Sequence, residues 1–166
     1  VLGVGKDSIQ GDVAFVDVLR KMGARVEVGP DWIACDGSGC SLHGVDLNLN
    51  DIPDAAMTVS VLALFADSPS KISGIASWRV KETDRIAAIS AELQKFGARV
   101  TTDMDSITIV PPEKLVPATV ETYNDHRMAM CFSLVSLGGV AVKIMDPACV
   151  NKTYPHFFED FTRLAK

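Results

Sequence analysis

No apolar run in the 166 residues is long enough to span a bilayer, and neither a signal peptide nor a transit peptide is recognisable at the start. Basic charge is also scarce. The net charge is −5 and the isoelectric point is near 5.1, which argues against a nucleic-acid or membrane-surface protein, so any anion site must be local. The four cysteines, Cys35, Cys40, Cys131 and Cys149, lack paired spacings, and reduced thiols are expected. Cys35, Cys40 and His43 offer three metal-ligand types, but without a C-x₂-C pair or an obvious fourth ligand they do not read as a zinc site. No Walker sequence, G-x-G-x-x-G run or Ser-His-Asp signature is present, so nucleotide-binding and hydrolase readings lack their usual support. A cytoplasmic protein without a metal is the expectation.

The chain has enough apolar content, 48%, to bury a core as one compact domain. Its first residues, Val1 to Val4, read as the end of a strand, and a fragment of a longer protein is expected. The spacing predicts helices over 7–22, ended by Gly23, and over 55–66, which is apolar nearly all round. Another helix is expected from Ile86 to Phe96, ended by Gly97, and others over 124–137 and 152–165. Short strands are expected at 25–28, 32–35, 42–49, 71–76, 98–102, 106–110, 118–122 and 140–145, with His43 on one of them. Leu19-Arg-Lys-Met-Gly-Ala-Arg-Val26 returns as Leu93-Gln-Lys-Phe-Gly-Ala-Arg-Val100, Asp54 and Met57 return as Asp125 and Met128, and Lys81 and Leu93 as Lys152 and Leu164. The order strand, helix, three strands, helix is therefore expected twice, with a third copy begun. Repeats of about 70 residues suit mixed sheets packed on buried helices, an α/β protein (α+β in some schemes).

Ser77-Trp-Arg-Val-Lys-Glu-Thr-Asp-Arg85 places charge where a buried helix begins. Running the apolar stripe of Ile86, Ile89, Leu93 and Phe96 back one turn lands on Glu82, a carboxylate expected to continue the buried stripe, a place that suits a raised pKa. Arg79, Lys81 and Arg85 crowd a helix start that the macrodipole makes unfavourable for cations. Either this is a solvated turn with local ion pairs, or free N–H groups and converging cations form an anion site. Asp54 has two readings as well, a cap for the following helix or a general base aimed into a cleft. Asn124-Asp125-His126-Arg127 and Lys152 again put cations at helix starts. Packed side by side, the repeats gather Asp54, Lys81, Glu82, Arg85, His126, Arg127 and Lys152 into a set suited to a polyanionic ligand.

Five ordered motifs carry a resemblance: Ser8-Ile-Gln-Gly-Asp12, Asp51-Ile-Pro-Asp-Ala-Ala-Met-Thr58, Trp78-Arg-Val-Lys-Glu-Thr-Asp-Arg85, Tyr123-Asn-Asp-His-Arg-Met-Ala-Met130 and Asp146-Pro-Ala-Cys-Val-Asn-Lys-Thr-Tyr-Pro155. Together they resemble the EPSP synthase (3-phosphoshikimate 1-carboxyvinyltransferase) family from end to end of this chain, but only the C-terminal part of that family's sequence. The resemblance implies two similar domains built from βαβαββ units, with residues 1–166 the C-terminal substrate-binding domain and the N-terminal domain absent. It implies transfer of the enolpyruvyl group of phosphoenolpyruvate to the 5-hydroxyl of shikimate 3-phosphate, in the shikimate pathway of aromatic amino-acid biosynthesis, without metal or organic cofactor. Carried over by motif, Asp54 is similar to the base at the 5-hydroxyl, and Glu82 to the acid at the phosphoenolpyruvate methylene. Lys152 completes the catalytic set. Ser77, Lys81 and Asp54 correspond to residues that bind shikimate 3-phosphate, and Arg85, His126, Arg127 and Lys152 to those that bind phosphoenolpyruvate. Ser77 departs from the asparagine common there in bacterial members. Two alternatives stand beside this: a UDP-N-acetylglucosamine enolpyruvyl transferase, and a non-catalytic RNA-binding or scaffold domain with the same repeat.

Overall fold

The computed structural model describes residues Val1–Ala165. Helix α1 (Phe15–Lys21) follows a 3₁₀ turn at Gly11–Ala14 and leads into β1 (Arg25–Val28) and β2 (Ile33–Asp36). Then come β3 (Asp46–Asn48), α2 (Ala56–Leu62), β4 (Ser70–Ser73), α3 (Arg85–Lys95), β5 (Arg99–Thr102) and β6 (Ser106–Val110). The chain ends with β7 (Ala118–Val120), α4 (His126–Ser133), β8 (Val142–Ile144) and α5 (Phe157–Leu164). Further 3₁₀ turns extend α2 and α4 at their C-terminal ends and precede α3 (Ala76–Val80) and α5 (Pro147–Lys152).

The stretch from β3 to β6 is a complete βαβαββ unit forming a mixed four-stranded sheet in the order β3-β4-β6-β5. Within it β3 and β4 are parallel, and β6 pairs antiparallel with both β4 and β5. The antiparallel β1–β2 pair repeats β5–β6, and the parallel β7–β8 pair repeats β3–β4. The expected two-fold repetition is therefore present in a different phase: one whole unit in the middle, preceded by the αββ part of another and followed by the βαβα part of a third.

The core lies where the sheet meets the helices. From α2 it takes Ala56, Met57, Val59 and Val61, from α3 Ile86, Ile89 and Leu93, and from α4 Met128 and Phe132. Phe96 stacks on Phe132 at 6.0 Å between ring centroids, tying the end of α3 to α4. Gly23 and Gly97 end α1 and α3 with φ of 105° and 96°, the left-handed conformation that glycine adopts without steric cost.

Local side chains shift several boundaries. The strand expected over 42–49 shortens to β3, because the Ser68 and Ser70 hydroxyls accept the Gly44 and Val45 N–H groups that a strand partner would take. His43 therefore lies off the strand, its Nδ1 2.6 Å from Asp67 Oδ2. The final helix starts at Phe157, not Lys152, because Lys152 closes the preceding 3₁₀ turn. The four cysteines are unbridged.

Candidate anion site at the helix starts

Parallel pairing puts the C-terminal ends of β3 and β4 on one side of the sheet, and that of β7 and β8 does the same in the following unit. In open α/β sheets this is where strand-to-helix connections meet and ligands bind. The β3–α2 connection supplies Asp54, and the β4–α3 connection supplies Lys81, Glu82 and Arg85. The β7–α4 connection supplies Asp125, His126 and Arg127, and the β8–α5 connection supplies Lys152.

Arg85, the first residue of α3, is the centre of the set. Its side chain is 1% exposed, and all of its guanidinium nitrogens donate to carboxylates. Nε donates to Asp125 Oδ2 at 2.7 Å, Nη1 to Asp54 Oδ1 at 2.9 Å and Nη2 to Glu82 Oε2 at 2.7 Å. Burial alone would push the guanidinium pKa down, but the Asp125 hydrogen bond and the surrounding carboxylates raise it, so this buried group stays charged. Those carboxylates offset the helix dipole that makes a cation unfavourable here.

Around Arg85 the remaining cations face outward. Arg127 Nη2 lies 2.8 Å from Asp54 Oδ2, Lys81 Nζ 3.8 Å from Asp54 Oδ1 and Lys152 Nζ 2.7 Å from Glu82 Oε1. Lys152, 58% exposed, is the most open of them. Four cations thus share three carboxylates, leaving a net positive face over a buried Arg85–Asp125 floor. An incoming phosphate or carboxylate has the chemistry to take the place of Asp54 or Glu82 as partner to these cations.

Glu82 is not on the apolar stripe, because Asp84 adopts an extended conformation and its carboxylate accepts the Ala87 N–H, so α3 begins at Arg85 and Glu82 precedes it. The buried charge of this helix start is Arg85. The pKa of Glu82 is accordingly lowered, not raised, to about 2: the Lys152 hydrogen bond pulls it down, and partial burial opposes this only in part. Asp54 does not cap α2, which starts at Ala56 without a side-chain cap; its carboxylate serves the cations instead.

Asp125 is the site residue that sequence reasoning passed over. It is fully buried, holds Arg85 and also accepts the Arg127 N–H at 2.9 Å as the cap of α4. Its repeat relation to Asp54 was the available signal. His126 is buried beside it with Nδ1 unpartnered, and its pKa is lowered, chiefly by burial. Ser77 stays apart, exposed on the Ala76–Val80 turn and outside the ion-pair network. The larger concavities are also elsewhere: one apolar groove is lined by Val13, Val16, Leu19 and Ile33, another by Val61, Phe65, Leu134 and Leu137. Neither holds a charged member of this set.

The family model described as EPSP synthase (3-phosphoshikimate 1-carboxyvinyltransferase) matches residues 1–161. A relative named 3-phosphoshikimate 1-carboxyvinyltransferase from Paraburkholderia phytofirmans is 59% identical over 170 residues, covering 100% of this chain and 39% of its own length. One of the same name from Thiobacillus denitrificans is 57% identical with the same coverage. The chain thus spans 39% of the length of these curated relatives. Among solved structures, an EPSP synthase from Acinetobacter baumannii superposes with a TM-score of 0.76 at 26% identity, covering 98% of this chain and 40% of that one. The enolpyruvyl transferase NikO from Streptomyces tendae shares the fold, with a TM-score of 0.71 at 22% identity over 92% of this chain and 35% of its own.

Proposed function

The chain belongs to the EPSP synthase family, and from that membership we propose that residues 1–166 form the C-terminal substrate-binding domain of an enzyme that joins phosphoenolpyruvate to shikimate 3-phosphate. The product is the 5-enolpyruvyl ether, with release of phosphate, a step of aromatic amino-acid biosynthesis. The observation that carries this reading is the Arg85-centred cluster, in which cations outnumber carboxylates at strand and helix ends. Both substrates are polyanions of the kind such a face accepts. The reading requires no metal or organic cofactor, and it goes with a cytoplasmic setting and a separate N-terminal portion that closes the cleft.

In this reading Arg85, Arg127 and Lys152 hold phosphoenolpyruvate with His126 beside them, while Lys81, Ser77 and Asp54 face shikimate 3-phosphate. Asp54 takes the proton of the 5-hydroxyl as its oxygen bonds to C2 of phosphoenolpyruvate, and Glu82 gives a proton to C3. The tetrahedral adduct then returns the C3 proton to Glu82 as the C–O bond to phosphate breaks, and phosphate leaves carrying the proton that Asp54 took. Glu82 is ionised at neutral pH while Lys152 holds it. Transfer of both Lys152 and the Arg85 Nη2 donor to the incoming phosphoenolpyruvate frees the Glu82 carboxyl, which either cation otherwise holds ionised, and lets its pKa rise towards the working range of an acid.

The test is a pair of variants in a full-length protein. Glu82→Gln should slow deuterium exchange into the phosphoenolpyruvate methylene, whereas Asp54→Asn should chiefly slow carbon–oxygen bond formation. Unimpaired exchange in Glu82→Gln removes its acid role.

A further inference from the structure

The connection that carries Asp125, His126 and Arg127 is held in an unfavourable backbone conformation. Asp125 N–H donates to Thr122 O at 2.9 Å, closing a turn whose two central residues, Tyr123 and Asn124, have φ of 53° and 55°. Both lie in the left-handed region, as in type I′ turns, and neither is glycine. The equivalent connection from β3 to α2 contains no residue at positive φ, and the Trp78 indole N–H ties it down by donating to Pro53 O at 2.7 Å. The β7–α4 turn needs a tether of its own against relaxation of Tyr123.

Glu92, two turns along α3 from Arg85, is placed to be that tether. Its side chain is 0% exposed, and no step of the proposed chemistry uses it. Oε1 accepts the Tyr123 hydroxyl at 2.8 Å, and Oε2 accepts the Glu121 N–H at 3.2 Å and lies 2.7 Å from Lys95 Nζ. Lys95 in turn donates to Thr119 O at 3.2 Å. Helix α3 therefore grips the β7–α4 connection at two points: Arg85 on Asp125, and Glu92 on Tyr123 and Glu121.

We infer that Glu92 is a positioning residue, which holds the Tyr123–Asn124 turn so that His126 and Arg127 are aimed into the anion site. This rests on the assignment of those two residues to phosphoenolpyruvate. Lys81 and Asp54, assigned to shikimate 3-phosphate, come from other connections and do not depend on the turn. Loss of Glu92 therefore weakens one substrate and spares the other, which general destabilisation does not do.

The experiment uses a full-length protein in which this chain follows the N-terminal portion of the Paraburkholderia phytofirmans relative. Glu92→Ala should raise KM for phosphoenolpyruvate by about tenfold and leave KM for shikimate 3-phosphate within about twofold. Glu92→Gln, whose amide can still accept from Glu121 N–H and bond the Tyr123 hydroxyl, should stay near wild type, and Tyr123→Phe should fall between. Equal increases for both substrates, an unchanged phosphoenolpyruvate KM in Glu92→Ala, or equal damage from the glutamine and alanine variants each overturn the inference. If the joined protein shows no turnover, the enzymatic reading has failed, and amide resonances of the isolated chain decide the role of Glu92. Glu92→Ala should then displace or broaden the signals of residues 121–127 while those of 49–55 stay in place, and Glu92→Gln should do neither. Undisturbed signals over 121–127 in Glu92→Ala overturn the inference.

Discussion

Arg85 and Arg127 both belong to the proposed phosphoenolpyruvate set, yet burial gives them different parts in the fold. Removing Arg85 leaves Asp125 as a buried carboxylate without its partner, a defect that typically costs about 3–5 kcal/mol. Arg127, with 35% of its side chain exposed, makes an ion pair worth at most about 1 kcal/mol to stability. Urea unfolding of Arg85→Ala and Arg127→Ala should show that ordering, and Asp125→Asn on top of Arg85→Ala should recover part of the loss. Equal stability of the two single variants would contradict the buried-floor account. Glu82 adds a pH signature. Its folded pKa lies below its ordinary value of 4.5, so its contribution to stability is fully present above pH 4.5 and is lost as pH falls towards 2. Glu82→Gln should therefore lose less stability than the parent chain between pH 4.5 and 2; identical acid limbs would show that the Lys152 contact contributes nothing. That charges converge at helix starts was legible in Arg85 and Arg127, because cations at such positions oppose the dipole and need a reason, whereas Lys81 and Lys152 reach the site from the 3₁₀ turns that precede α3 and α5. That Arg85, not Glu82, is buried was hidden, since periodicity shows an apolar face but does not say where a cap will start the helix.

At the level of elements, the cap that sets the start of α3 is itself testable. Asp84 accepts the Ala87 N–H at 3.2 Å and pairs with Arg79 at 3.0 Å, and Asp84→Ala should destabilise the chain by about 1 kcal/mol, read by thermal or urea unfolding. A neutral outcome would mean that α3 starts where it does for another reason, with Arg85 anchored by Asp125 as the leading candidate. Helix α3 was legible through its apolar spacing and Gly97, and the end of α1 through Gly23, but α1 itself starts at Phe15 after a 3₁₀ turn and not at Asp7 as expected. The length of β3 was not, because the Ser68 and Ser70 hydroxyls that replace strand pairing are contacts between segments remote in sequence. The β7–α4 turn was equally opaque: Tyr123 and Asn124 occupy the left-handed region with no glycine to announce it, and the tether that keeps them there comes from α3. The repeat was visible in matched residues such as Leu19 and Leu93, but its phase depends on which strands pair, and short strands of similar composition do not encode that locally.

For the molecule as a whole, a complete βαβαββ unit with parts of its neighbours supplies a buried core around α2, α3 and α4, so the chain by itself should fold. Catalysis is another matter. The cations of the candidate anion site face solvent on one side, and the chain accounts for 39% of the length of its curated relatives. In the proposed reading, reactants at a face without a second wall are neither aligned nor shielded from water, and proximity alone can be worth about 7–11 kcal/mol of a barrier. The most direct measurement of the central claim is phosphate release from shikimate 3-phosphate and phosphoenolpyruvate, assayed with the purified chain and again after mixing it with a separately produced N-terminal portion of a relative. The account predicts no turnover by the chain alone and turnover on mixing, abolished by Arg127→Ala. Turnover by the chain alone, or turnover on mixing that survives loss of Arg127, would contradict it.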